Sequence, residues 1–515
     1  MSMQVSTLNT LSLEPLDRLL AQHRFGNSDY LTKQSHACYR RRLGKVSVHL
    51  PVAGQLLDIL CGAEVYVQYR VFGDTAVRSA VQHALCRLVL QQAEPETQYG
   101  LTLKQCEEVF RATIRLLKEG KCAPLGSALT SRLRPDPYQP WIWSEERPDD
   151  VFAQTFRSVI YNVYDGPSEQ LITPTFHETA MLEKGAQLLS ELLPLSSRSA
   201  LRHVHLIAVF PAVGSWTTRA SSSEFTLSGT IFLNRNLISN PWLVAEHLLH
   251  EALHQQLYDF RRGHSLLKPD FDEGRIICSL WNVPDSTVQD NYWDIFRALA
   301  ALHVYTHLAL LSSLAEQRAS DLEGVYGKLK MIKSSTALAR AHYLAEQIKA
   351  LSWEELGAAG KYYVDWFSSV LDFLDPSPPP QGSYVHLLLD RYRKESREVE
   401  FFLTRAEQPN FPHQMMTLVK EEIRGIRRVL VAMNAQADLR RFNDAVTSIF
   451  DEKSSTFFSH EHPGTQFSQV RKIIAKTILD VSQDGYTLSE SRIPDQMIKE
   501  IIESSSESLK NLVGR

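Results

Sequence analysis

Apolar residues recur at three- and four-residue steps along most of this chain, the spacing that gives a helix one buried stripe. VRSAVQHALCRLVLQQA within 76–93, LTLKQCEEVFRATIRLLKEG (101–120) and TFHETAMLEKGAQLLSELLP (175–194) all carry it. RLRPDPYQPWIWSEERPDD (132–150) holds four prolines and reads as a loop or crossing, because proline removes a backbone donor and disfavours helix before it. Two short runs break the helical rhythm. RHVHLIAVF (202–210), ended by Pro211, and SGTIFLN (228–234), after a Ser/Thr-rich loop, are rich in β-branched and aromatic residues and predict strands. Asn240 or Ser239 then caps a helix that opens at Pro241 and runs WLVAEHLLHEALHQQLYDF. Further helices cover roughly 291–318, 324–350 and 352–374, and DPSPPPQGS (375–383) reads as a linker to a helical carboxy-terminal region.

The pattern predicts a predominantly helical α+β fold, with a small antiparallel sheet beside one central helix and helical regions at both ends. The expected division is an N-terminal helical region (1–132), a core (150–320), a helical extension (321–374) and a C-terminal helical region (384–515). With 43% apolar and 22% charged residues the chain has the composition of an ordinary folded protein. Its 55 basic and 59 acidic residues leave a net charge of −4, without the basic field that holds nucleic-acid phosphates, so no nucleic-acid partner is expected. The first residues, MSMQVSTLNTLSLEPLDRLL, lack a basic segment followed by an apolar run, and no stretch of about 18 uninterrupted apolar residues occurs. The expectation is a cytoplasmic protein that does not span a membrane. Six cysteines without a CxxC pair are expected to be reduced, buried thiols.

His250-Glu251-Ala252-Leu253-His254 is an HExxH sequence inside the central helix. Histidines at i and i+4 lie one turn apart on one face, so both imidazoles reach a single metal ion while Glu251 stands beside them. Chance alone yields on the order of 0.04 such matches in a chain of this composition. Leu243, His247, His250, His254 and Leu257 form one stripe, with His247 placed for a supporting role beside the two ligands.

Two histidines leave a metal short of ligands, and the third separates mechanisms. Leu257 and Phe260 occupy the positions where a metzincin needs Gly and His, which excludes that class. Glu273, in FDEGRI, has a spacing from His254 similar to that of the downstream glutamate of gluzincin aminopeptidases, and in such a Zn(II) peptidase Glu251 would be the general base. Tyr292, Phe296, Leu299, His303 and His307 share a face of the following helix, which makes His303 the other candidate.

The order SGTIFLN, LLHEALHQQLYD, SLW and YWDIFRALAALHVYTHLALL resembles the HExxH-type iron- and 2-oxoglutarate-dependent peptide β-hydroxylases over roughly residues 200–312. Ala252 and Leu253 stand where an aromatic and a polar residue are frequent in that family. The resemblance implies Fe(II) held by His250, His254 and His303, with 2-oxoglutarate and dioxygen as co-reactants. It implies β-carbon hydroxylation of a peptide or peptide-like substrate, which in that family is a ribosomally made precursor peptide. Glu251 would then support the ligands instead of acting as base. A keto acid's distal carboxylate needs a forked cation, and Arg297 is nearest to the site in sequence, with Arg275 in reserve.

Overall fold

The computed structural model describes residues 13–89, 100–121, 131–132, 138–144, 150–164, 171–217, 219–274, 276–282, 291–375, 384–403, 411–451, 463–483 and 493–513. It is 75% helical, with a small sheet, and so is predominantly helical α+β. Helices α1 (Glu14–Gln22), α2 (Ser28–Ser47), α3 (Pro51–Gly62), α4 (Val65–Gly73), α5 (Thr75–Leu88) and α6 (Leu103–Lys118) come first. Strands β1 (Ser131–Arg132) and β2 (Trp141–Ile142), helices α7 (Val151–Val163), α8 (Phe176–Leu192) and α9 (Pro194–Leu201), and strands β3 (Leu206–Phe210), β4 (Ser221–Ser222) and β5 (Thr230–Asn234) follow. The HExxH helix is α10 (Pro241–Gly263). Beyond it lie β6 (Ile277–Cys278), β7 (Tyr292–Trp293), α11 (Ile295–Tyr326), α12 (Ser334–Leu351) and α13 (Ala358–Leu374). The chain continues through α14 (Val385–Leu403), α15 (Phe411–Ala432), α16 (Gln436–Asp451), α17 (Pro463–Gln483) and α18 (Ile493–Val513).

Two compact units share these elements. The first takes residues 1–271, 299–341 and 353–375, the second 272–298, 342–352 and 376–515. The boundaries read from composition cut across this division. Tyr39, Leu56 and Phe110 of the N-terminal helices share one apolar core with Phe156, Leu206, Phe210 and Phe232, so neither helices nor strands bury their faces alone.

The sheet of the first unit has strand order β1-β2-β3-β5-β4. It is mixed, which corrects the expected antiparallel arrangement: β2, β3 and β5 are parallel, and β1 and β4 run antiparallel at the edges. The long connection from β3 to β5 turns back on itself and contributes β4, so β5 enters alongside β3 in the same direction. LIAVF and TIFLN are buried at every position, as central strands covered on both faces must be. Gly229 precedes β5 with φ of +101°, and a Cβ there would stand 2.4 Å from the Gly73 carbonyl, so only glycine fits.

α10 begins as its sequence predicts. Asn240 caps it, its Oδ1 accepting from the Trp242 N–H at 2.9 Å and the Leu243 N–H at 3.4 Å, and Pro241 occupies the first turn. The helix packs on β5, β4, α2, α8 and α9. At the α8 crossing Gly185 lets the backbones close, since a Cβ there would lie 2.3 Å from a Val244 methyl. Gln255, immediately after His254, locks helix to sheet: its Oε1 accepts from the Gly229 N–H at 2.7 Å and its Nε2 donates to the Thr230 carbonyl at 2.9 Å.

α11 is long and apolar enough to cross a membrane by composition, with 83% of its most apolar window buried within the protein. Its residues from Leu299 onward belong to the first unit and carry His303 and His307 into the interior. The second unit has its own core, among others Leu389, Tyr392, Ile426, Phe442, Ile474 and Ile502. Inside it the Glu422 carboxylate takes hydrogen bonds from Arg471 at 2.8 Å and from the Tyr392 hydroxyl at 2.7 Å. Among the described cysteines, all free, Cys38 and Cys106 are buried, Cys86 and Cys278 half-buried and Cys61 exposed; Cys122 lies outside the described residues. The linker expected at 375–383 also falls, apart from Asp375, outside them.

Candidate metal centre

One turn of α10 gathers three side chains of metal-ligating type. Donor atoms of His250, Glu251 and His254 all lie within 4.8 Å of one another, the one such group among the described residues. The His250 and His254 ring centroids are 5.0 Å apart and His250 Nε2 is 3.9 Å from Glu251 Oε1. Burial lowers the His250 imidazole below its ordinary range, and burial and then the neighbouring His250 push His247 down to about 3. Neutral imidazoles carry the lone pairs that a metal needs. Two imidazoles and an adjacent carboxylate fit a single divalent transition metal with positions left open.

The edge strand β4 shapes this face. The Ser221 hydroxyl donates to Glu251 Oε1 and accepts from His247 Nδ1 at 2.8 Å. The Ser223 hydroxyl donates to the Glu251 carbonyl at 3.3 Å, and its own carbonyl accepts from the Tyr258 hydroxyl at 3.1 Å. Glu251 is 2% exposed and its Oε2 has no hydrogen-bond partner. Burial pushes its carboxyl up to about 7, against the downward pull of the Ser221 and Ser223 hydroxyls and the nearby Arg219 charge. Tyr258, one turn beyond His254, stacks on it at 6.4 Å.

His303 lies apart from the group of three. It is buried against Phe367 at 5.3 Å, Tyr363 at 5.9 Å and His307 at 4.7 Å between ring centroids. Neither ring nitrogen has a hydrogen-bond partner of good geometry, although the Leu253 backbone lies near enough to act on the ring. Burial holds the ring well below the ordinary histidine range, and the His307 and His254 imidazoles lower it further. Glu273 belongs to the second unit and is exposed. Arg297 also belongs to the second unit, with its guanidinium 5.1 Å from the Trp293 ring centroid, and Arg275 lies outside the described residues.

A buried polar cluster stands further along α10. Asp259 Oδ1 accepts from the Ser35 hydroxyl at 2.9 Å and pairs with Arg78 at 3.4 Å, while Oδ2 meets His203 Nδ1 at 2.8 Å. Burial opposes ionisation of Asp259, but Arg78 and His203 outweigh it and hold the carboxyl far below its ordinary value. The cluster ties α10 to α2, α5 and the approach to β3.

Ser221, Arg219 and Tyr258 were not singled out by sequence. The three consecutive serines at 221–223 were the available signal, but serine is common in loops and nothing local aims one at a glutamate thirty residues on. No family model matches the chain, and no curated protein matches it.

Proposed function

We propose that this protein is a non-haem Fe(II)- and 2-oxoglutarate-dependent hydroxylase acting on a peptide or peptide-like substrate. The observation that carries this reading over the peptidase one is His303. His303 is buried with no hydrogen bond of good geometry at either ring nitrogen, only a weak contact with the Leu253 backbone, and a metal bond would give the ring a full partner. It sits close enough to His254 for the two rings to influence each other, whereas Glu273 is exposed. Three neutral imidazoles would leave room for a chelating keto acid and dioxygen.

Bound there, Fe(II) would supply the oxidative chemistry, with 2-oxoglutarate and dioxygen as co-reactants. The protein's own groups orient and desolvate. Ser221 fixes the ring of His247 and one oxygen of Glu251, and Gln255 fixes the register of the helix that carries the ligands. β4 is the outer strand of its sheet, so its outer edge offers main-chain groups to an extended peptide beside the ligands.

A Zn(II) peptidase is the second reading, favoured by Glu251, whose unpartnered Oε2 in a buried setting is what a general base on metal-bound water requires. The test joins metal content to turnover. If the hydroxylase reading holds, His303→Ala loses metal, Glu273→Gln keeps it, and the anaerobically loaded Fe(II) protein forms succinate from 2-oxoglutarate when given substrate and dioxygen. Metal lost in Glu273→Gln and kept in His303→Ala, with peptide cleavage by the Zn(II) form, overturns it.

A further inference from the structure

Arg219 stands two residues before Ser221, the residue that grips Glu251. Its position is built from several sides. The buried Asn234 side chain at the end of β5 donates to the Arg219 carbonyl at 2.8 Å and to the Trp216 carbonyl, and the Asn234 N–H donates to the Ala220 carbonyl at 2.9 Å. The guanidinium lies 5.3 Å from the Tyr164 ring centroid and 5.6 Å from that of Trp216, so two aromatic faces hold a cation in place. Among the described residues no carboxylate forms an ion pair with it and no group hydrogen-bonds its nitrogens. It is half-buried and close enough for its charge to act on the Glu251 carboxylate. Glu224, the other acid on this side, accepts from the Ser222 hydroxyl at 3.3 Å.

A positioned, partly desolvated arginine with no ion pair among the described residues, beside a candidate metal centre, has five donors in a fork that matches a carboxylate. The neighbouring arginines are engaged elsewhere: Arg262 donates to the Ser228 hydroxyl at 2.6 Å, and Arg261 lies 4.9 Å from the Phe225 ring centroid.

We infer that Arg219 is the anion-binding residue of this site and receives a carboxylate of the bound ligand. The inference rests on the metal-centre reading and assigns to Arg219 the role expected of Arg297 or Arg275. The carboxylate has two sources, the distal group of 2-oxoglutarate or the carboxy terminus of a bound peptide.

Calorimetric titration of the full chain loaded with Mn(II) separates them. One pair of probes is 2-oxoglutarate and 2-oxobutyrate, which share the keto-acid end and differ in the distal carboxylate. The other is N-acetyl-tetra-alanine as the free acid and as the C-terminal amide. Wild type should prefer 2-oxoglutarate to 2-oxobutyrate by about ten- to a hundredfold; Arg219→Gln should lose that preference while Mn(II) affinity is kept, and Arg219→Lys should keep part of it. A wild type indifferent to the keto acids that prefers the free-acid peptide, with the preference lost in Arg219→Gln, supports Arg219 but removes the hydroxylase reading. A preference that survives in Arg219→Gln overturns the inference, and so does a wild type that discriminates within neither pair, an outcome that needs no variant to fold.

Discussion

Ser221 concentrates two demands in one hydroxyl. It donates to Glu251 and accepts from His247, so alanine there leaves a buried carboxylate with neither oxygen partnered. Ser221→Ala is expected to lower the free energy of unfolding by about 1–3 kcal/mol in urea titrations, while Mn(II) affinity stays near wild type because no ligand is removed. His250→Ala and His254→Ala should do the reverse, losing most of the bound metal on elemental analysis with the far-UV helical signal intact, since alanine favours a helix. That His250 and His254 face one another was legible from the four-residue spacing alone. The serine was not, because its partner is set by how β4 lies on α10.

Helix α10 owes its place to contacts on several sides, and two of them are testable. Gly185→Ala pushes a methyl into Val244 at the α8 crossing and should cost about 1–3 kcal/mol by overpacking, read as a lower urea midpoint with unchanged slope. Asp259→Asn leaves Arg78 and His203 facing a neutral amide in the interior and should cost about 3–5 kcal/mol. The pH dependence has a definite sign. The folded-state pKa of Asp259 lies below its ordinary value of 3.8, so its contribution is fully present above that value and is lost as pH falls through it toward the folded-state value. The stability gap between wild type and Asp259→Asn should therefore be constant at neutral pH and shrink below about pH 4 in denaturant titrations.

At the scale of the whole chain, each of two units has its own core. A metal held by His250 and His254 would occupy donors of the first unit, so loading should raise the midpoint of the thermal transition that carries it, by mass action on the folded state. Arg471→Ala strands the buried Glu422 carboxylate and should destabilise the second unit by about 3–5 kcal/mol. Calorimetry with and without metal checks both: the metal-sensitive transition should keep its midpoint in Arg471→Ala while the other falls.

The helices, the cap and proline that start α10, the strands at LIAVF and TIFLN and the facing histidines of HExxH all follow from patterns a few residues long. Helical periodicity, capping and the i, i+4 geometry act over one or two turns, so the sequence by itself determined them. Only the tertiary structure decided that β3 and β5 run parallel, that the N-terminal helices share a core with the sheet, and that Ser221 hydrogen-bonds Glu251 with the Arg219 charge nearby. It also buried His303 among Tyr363, Phe367 and His307, and exposed Glu273. These outcomes depend on which distant segments pack together, and burial and charge acquire their energies only once that packing exists.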